Sequence, residues 1–419
     1  MRPGGITRMY NGAAMGWLVL AALSLALPVS SRLGLWLPLH LTLAGAATVA
    51  ICGNVQSFGA ALSAGPGPKP RVAWAQFGSV NAGVALIAVG YPAGHRWMVA
   101  MGGASFLTSI LVLAWIVRKE WTRGLNRRHG SVVGMYGTAV AAVLAGGTIG
   151  ALLGSGAVTN GSTFLALRRA HMVVNVLGWV SLTIAGTLIT FLPTVLRSRM
   201  PAWEHSATIG LLIGGVGLTA AGLALRQDPV AAVGAGGFAG GALGVGSLTF
   251  RVLRTPRRWP APVAAKHLVL AQVWFVCGSV AFAFAVNRDG AAGFDAFVPV
   301  FLATFVAGWI VQTLLGAWQF LVPMQAAGGP VEHRVHLTVT ELGANAQVVA
   351  FNAGLALVAL RAAGLVPNWT ARAGGAVALA AGVAAITKLW LLGPLARIGA
   401  IRRRSDVAWG VGEQRPSGR

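Results

Sequence analysis

Long apolar runs separated by short basic connections dominate this chain. No Asp, Glu, Lys or Arg occurs between Arg32 and Lys69, from Gly130 to Leu167, or from Ala296 to Val331. A bilayer core about 30 Å thick takes roughly 20 apolar residues per helix, so each run holds at least one span. Lipid offers backbone groups no hydrogen-bond partner, and segments this rich in Leu, Ala, Val and Gly cross it only as helices. Counting apolar stretches between charged or Pro/Gly-rich breaks predicts an all-α fold, a polytopic integral membrane helical bundle of about 12 transmembrane helices. The expected organisation is a single transmembrane domain over residues 1–401 and a basic cytoplasmic tail over 402–419.

Composition agrees. Mean hydropathy is +0.71, and only 10% of the 419 residues are charged, so no polar stretch is long enough to build a soluble core. The formal charge of +23 would point to nucleic acid in a soluble protein. Here the cations sit in short connections and form no basic stripe interleaved with aromatics, which excludes a nucleic-acid module and makes anionic lipid headgroups the expected partners. They are also unevenly shared. Clusters at Arg118–Arg128, Arg251–Arg258 and Arg402–Arg404 fall on one side of the bundle, against scattered Arg32, Arg96, Arg168, Arg169, Arg226, Arg288, Arg361 and Arg372 on the other. The positive-inside rule then places both termini in the cytoplasm and the chain in the plasma membrane as a multi-pass protein. The first apolar stretch, Trp17 to Pro28, reads as a retained helix; its basic start and small-residue end also fit a signal peptide. The clustered glycines read as helix-packing positions, and Cys52 and Cys277 as small apolar residues.

The candidate chemistry lies in histidines. Four of eight begin apolar segments: His40, His171, His267 and His336. An ionisable residue in a span is a functional candidate, and imidazole is the usual ligand of haem iron and copper. The competing reading places each ring at headgroup level as an amphipathic anchor. Span counting puts His40 and His171 at one leaflet and His267 and His336 at the other, so the four cannot share one metal. His333 lies one turn before His336 and joins the candidate metal ligands. Downstream, Glu341 reads as a carboxylate within a span, and with Asn345 and Asn352 it marks a candidate proton or ion path or a structural hydrogen bond. Neither a nucleophile–base pair nor paired carboxylates are evident.

The stretch Ala170-His171-Met172-Val173-Val174-Asn175-Val176-Leu177-Gly178-Trp179, followed by Thr183 to Leu188 and Pro193 to Arg197, resembles the membrane portion found ahead of multicopper oxidase or copper nitrite reductase domains in some actinobacterial proteins. It is more loosely similar to NnrS-type proteins and to subunit I of haem-copper oxidases, and His40 with the residues after it fits the same pattern. The resemblance covers mainly spans two to six. It implies a twelve-helix bundle whose histidines bind haem or copper, a link to nitrogen-oxide or copper and respiratory metabolism, and a copper oxidase or nitrite reductase partner. The chain departs from a working oxidase: span ten, about Phe297 to Val322, has no histidine, span seven lacks a His-His pair, and no cupredoxin segment is present. These departures argue against oxygen or nitric oxide reduction of that type. Three functions remain open: a haem- or copper-associated membrane protein, a transporter using Glu341, and a structural partner of a copper enzyme.

Overall fold

A computed structural model of the protein describes residues 4–199, 205–255 and 261–408. The described residues are helical, without strands. The helices are α1 (Gly4–Ser24), α2 (Trp36–Ser63), α3 (Pro70–Gly90), α4 (Arg96–Arg123), α5 (Gly130–Gly154), α6 (Gly161–Val195), α7 (Ser206–Leu225), α8 (Asp228–Arg254), α9 (Val263–Ala326), α10 (Pro330–Glu341), α11 (Ala344–Ala362) and α12 (Asn368–Ala408). Ten of them are long and apolar enough to cross a membrane; α1 and the short α10 are not among these. The chain is therefore a multi-pass helical membrane protein.

Helix α9 is two arms. Gly290, with φ +58° and ψ −132°, breaks it in a conformation that glycine adopts readily and other residues do not. The arms fold back antiparallel, so that Gly278 faces Thr304, Gly308 faces Trp274 and Gly316 faces His267. With α9 so divided, three blocks follow one another: α1–α4, α5–α8, and the two α9 arms with α11 and α12. The last two helices of each block cross closely, with Gly83 on Gly102, Gly215 on Phe238 and Gly354 on Gly374. Small residues at such crossings let backbones approach closely where lipid gives no hydrophobic drive to association.

The second helix of each block carries a π-helical segment, at Leu41–Ala47, Val174–Ser181 and Leu302–Val311, and these three segments touch one another in the middle of the bundle. A glycine pattern repeats with them. Gly45 and Gly53, Gly178 and Gly186, and Gly308 and Gly316 stand eight residues apart and face pairs seven apart on the preceding antiparallel helix: Trp17 and Tyr10, Ala142 and Met135, Trp274 and His267. The blocks are thus structural repeats. At their junctions the Trp179 indole N–H donates to Thr48 Oγ1 over 3.0 Å and the Trp309 indole N–H to Ser181 Oγ over 3.0 Å. Each hydroxyl in turn donates to the carbonyl five residues back, Leu43 for Thr48 and Val176 for Ser181. The third junction has neither partner, because Ala46 stands where the tryptophan would be and Val311 where the hydroxyl would be.

Several expectations shift. The first helix lies nearer the N-terminus than its apolar stretch indicates, because Tyr10 and Asn11 are buried and the Trp318 indole donates to Asn11. The eleventh apolar segment starts later than expected: Gly343, at φ +63°, separates α10 from α11. His336 and Glu341 therefore belong to a separate short helix and do not stand inside a span. Helix α12 continues through the expected boundary at 401/402 to Ala408, and residues 409–419 of the expected tail lie outside the described residues.

Candidate functional site

His40 and His171, on the second helices of the first two blocks, are brought together. Their ring centres lie 6.4 Å apart and their planes are inclined by only 18°. His40 Nδ1 lies 2.8 Å from the carbonyl oxygen of Trp36, and His171 Nδ1 lies 2.8 Å from that of Gly146 on α5. A carbonyl oxygen only accepts, so these contacts assign the proton to Nδ1 in each ring and the lone pair to Nε2; the Asn175 amide nitrogen, also 3.1 Å from His171 Nδ1, donates instead to the His171 carbonyl. No hydrogen bond among the described residues engages either Nε2. Neighbouring groups fix the rings: Trp36 stacks on His40 at 4.0 Å and Tyr91 stacks on Trp36 at 4.4 Å. Gly150 gives His171 its space, since a Cβ there would stand 2.7 Å from the ring Cε1. The Asn175 amide donates to the His171 carbonyl over 2.7 Å and so ties the π segment to the residue that starts it.

Two imidazoles that each donate Nδ1–H to a carbonyl are arranged as metal-binding histidines are, with tautomer and orientation set from behind. A metal held by one nitrogen of each ring at about 2 Å, in line, puts the ring centres ~6 Å apart. The observed 6.4 Å is compatible with that spacing. Among the described residues no group of three or more His, Cys, Asp or Glu side chains is placed to hold a metal ion. The pair would therefore supply two nitrogen ligands, a donor set that fits haem iron or a cuprous ion and falls short of a tetrahedral structural site.

The other histidines do not join this pair. His267 is fully buried on the first arm of α9. Its partner is the Gln347 side chain on α11, at 3.2 Å between the two Nε2 atoms. The Lys388 ammonium donates to Gln347 Oε1 over 2.7 Å, which fixes the amide's orientation and leaves its NH2 facing the imidazole. His267 Nε2 must then accept, and the proton sits on Nδ1, a buried donor with no partner. The two sites lie toward opposite ends of the bundle. By the block equivalence His267 is level with Gly53, and His40 stands thirteen residues before Gly53, about 20 Å of helix. His336 is buried on α10 with Nδ1 3.4 Å from the Pro323 carbonyl oxygen, and His333 Nδ1 is buried without a partner. His95, His129 and His205 each immediately precede a helix.

The polar groups around Glu341 are engaged in hydrogen bonds between helices. Glu341 Oε1 accepts from the Val263 backbone N–H over 2.8 Å and so caps the start of α9. Asn345 Oδ1 accepts from Lys266 Nζ over 2.7 Å, and Asn352 Oδ1 accepts from the Trp274 indole over 2.9 Å and from the Gln312 amide over 3.2 Å. Sequence reasoning did not single out Trp36, Tyr91, Gly146 and Gly150. For Trp36 the signal was present, four residues before His40 and hence on the same helix face. Gly146 and Gly150 have the same one-turn spacing, but nothing in the sequence says that α5 is what they place against His171. No protein-family model matches the chain, and no curated protein matches it.

Proposed function

We propose that this membrane protein holds a haem or copper centre between His40 and His171. The observation that carries the reading is the near-parallel pair of imidazoles, 6.4 Å between centres, each anchored through Nδ1 to a backbone carbonyl. The lone pairs on the two Nε2 atoms are the ligands. Trp36 holds the His40 ring by stacking, and Gly150 leaves the room that the His171 ring occupies. Such a centre, when bound, supplies one-electron chemistry. Nothing resembling a third histidine ligand or a catalytic carboxylate accompanies the pair among the described residues, so electron transfer or gas and redox sensing suits the site better than oxygen or nitric oxide reduction.

The reading extends to topology and context. Dividing α9 at Gly290 and counting α1 beside the ten membrane-length helices supports a reading of twelve spans, and the cation asymmetry supports one with both termini on the cytoplasmic side of the plasma membrane. The resemblance of the His171 segment to actinobacterial membrane portions associated with copper enzymes supports a role in nitrogen-oxide or copper and respiratory metabolism, with a copper oxidase or nitrite reductase as redox partner. Transport through Glu341, Asn345 and Asn352 is the weaker reading, because the oxygens that would serve a moving ion are already engaged.

The test is to purify the full chain in mild detergent and record its reduced-minus-oxidised spectrum beside elemental analysis for iron and copper. The expected result is a haem band or stoichiometric copper that disappears in both His40→Ala and His171→Ala. Colourless, metal-free protein after gentle extraction would overturn the proposal.

A further inference from the structure

The third block buries polar groups that nothing in the protein satisfies. On the first arm of α9, His267 Nδ1 and both amide atoms of Gln272 have no hydrogen-bond partner; on the second arm, neither do Gln312 Oε1, Thr313 Oγ1 or the two amide atoms of Gln319. His267, Gln272, Gln312 and Gln319 are at most 3% exposed. Three of them are close in the fold. Gly316 lies against His267, one helical turn from Gln312 and just short of one turn from Gln319, whereas Gln272, five residues after His267, stands about 140° round the facing arm. Unmet amides are costly in an apolar bundle, and buried water normally satisfies such groups.

The chemistry of the unmet groups is mixed. The imidazole Nδ1–H and the amide NH2 groups donate, while the amide and hydroxyl oxygens accept. No carboxylate accompanies them, and the charged groups nearest His267 already have partners: Lys388 on Gln347 and the Leu342 carbonyl, Lys266 on Asn345, Glu341 on the Val263 N–H. A cation would leave the donors unmet and an anion the acceptors. A neutral molecule that both donates and accepts matches the set, and water is the smallest. The partly exposed Lys388, bonded to the Gln347 that touches His267, marks where the column meets the outside.

We infer that the third block encloses a water-filled site for small neutral hydrogen-bonding molecules, entered beside Lys388 and running past His267 to Gln312 and Gln319. This site is separate from the His40–His171 pair and does not depend on a metal there.

Thiol accessibility tests it. In a Cys52→Ala, Cys277→Ser background reconstituted in liposomes, single cysteines are introduced as Lys266→Cys at the mouth, Gln312→Cys and Gln319→Cys in the column, and Phe275→Cys in the neighbouring apolar core. Each is treated with 2-aminoethyl methanethiosulfonate, which reacts with a thiol that water can reach. The expected result is modification of Gln312→Cys and Gln319→Cys at least ten-fold faster than of Phe275→Cys. Column positions that react no faster than Phe275→Cys, while Lys266→Cys is modified, would overturn the inference. Should the column variants fail to fold, hydroxyl-radical footprinting of the unsubstituted protein decides it: water at the site gives oxidation at His267 well above that at Phe275, and equal protection of both overturns it. Neither readout involves haem or copper, so failure here and failure of the metal reading are distinguishable.

Discussion

Two histidine sites in one bundle, one half-buried and one fully buried, show opposite bonding. At the junction of the first two blocks, His40 and His171 have Nδ1 satisfied by carbonyls and Nε2 left open. In the third block His267 has Nε2 satisfied by Gln347 and Nδ1 left unmet. Both leave one nitrogen for a partner, but the surroundings decide which partner fits. The first pair is flanked by aromatic rings and glycines, which hold two rings whose open nitrogens would suit the proposed soft or borderline metal. The second is surrounded by amides offering donors and acceptors together, which a metal would leave half unsatisfied. A buried histidine in a membrane protein is thus not one signal, and the group behind the ring tells the cases apart.

The sharpest way to break this comparison leaves both imidazoles in place. Gly150→Ala puts a methyl group 2.7 Å from the His171 ring and must displace it. Metal content measured per mole of protein should fall by at least ten-fold, close to the loss in His171→Ala, while the elution profile of the folded protein in detergent is retained. Full metal occupancy in Gly150→Ala would mean that the position of the His171 ring is irrelevant to binding.

The matching change in the third block has a different outcome. A methyl group in Gly316→Ala would meet the Ala264 carbonyl oxygen at 2.9 Å and His267 Cβ at 3.1 Å, forcing the α9 arms apart. Overpacking of this kind costs about 1–3 kcal/mol. Thermal unfolding in detergent should show a clear drop in midpoint with metal content per folded molecule unchanged. Loss of metal in this variant would show that the two sites are coupled through the α9 hairpin.

How much of this was legible in the sequence follows from what each feature depends on. The apolar runs gave the helical membrane class directly, since spanning length is a local property. The span-initiating histidines were equally visible, and so was Asn175 one turn after His171. The three-fold repeat was present as well, in glycines eight residues apart followed by Trp179 and Trp309 in the second and third copies, but Ala46 in the first copy hides it from a search for identical residues. The π segments were not legible. Their carbonyl pattern is set by packing between blocks, with Thr48 and Ser181 each bonding a carbonyl five residues back while accepting from a tryptophan of the next block. Glu341 was misplaced because Leu342 continues the apolar run; only the left-handed turn at Gly343 ends it.

The central junctions give a smaller effect. Trp179→Phe removes the donor to Thr48 and should lower stability by about 1 kcal/mol; Thr48→Val also removes the bond to the Leu43 carbonyl and should cost more, with the double variant little worse than Thr48→Val alone, because the Trp179–Thr48 bond is absent from all three. A double-mutant cycle in detergent unfolding measures it. Strictly additive losses would mean that the two side chains act independently. The third junction, Ala46 against Val311, has no such bond to lose, so Val311→Ala should register only as lost packing.

The smallest effect tests whether the third block supports the His171 site at all. Arg169, two residues before His171, forms a two-pronged ion pair with Asp295 on the second arm of α9, with Nε to Oδ1 at 2.9 Å. The Asp295 side chain is 36% exposed, so solvent screens the pair and its worth to stability is about 1 kcal/mol or less. Asp295→Asn should therefore barely move the unfolding midpoint. If α9 holds α6 in place through this pair, the reduced-minus-oxidised spectrum of a His40–His171 centre will nevertheless broaden or shift, because His171 is ligated on the same helical turn that the pair anchors. An unchanged spectrum would confine control of that site to the first two blocks, where Gly146, Gly150 and Trp36 hold the rings from behind.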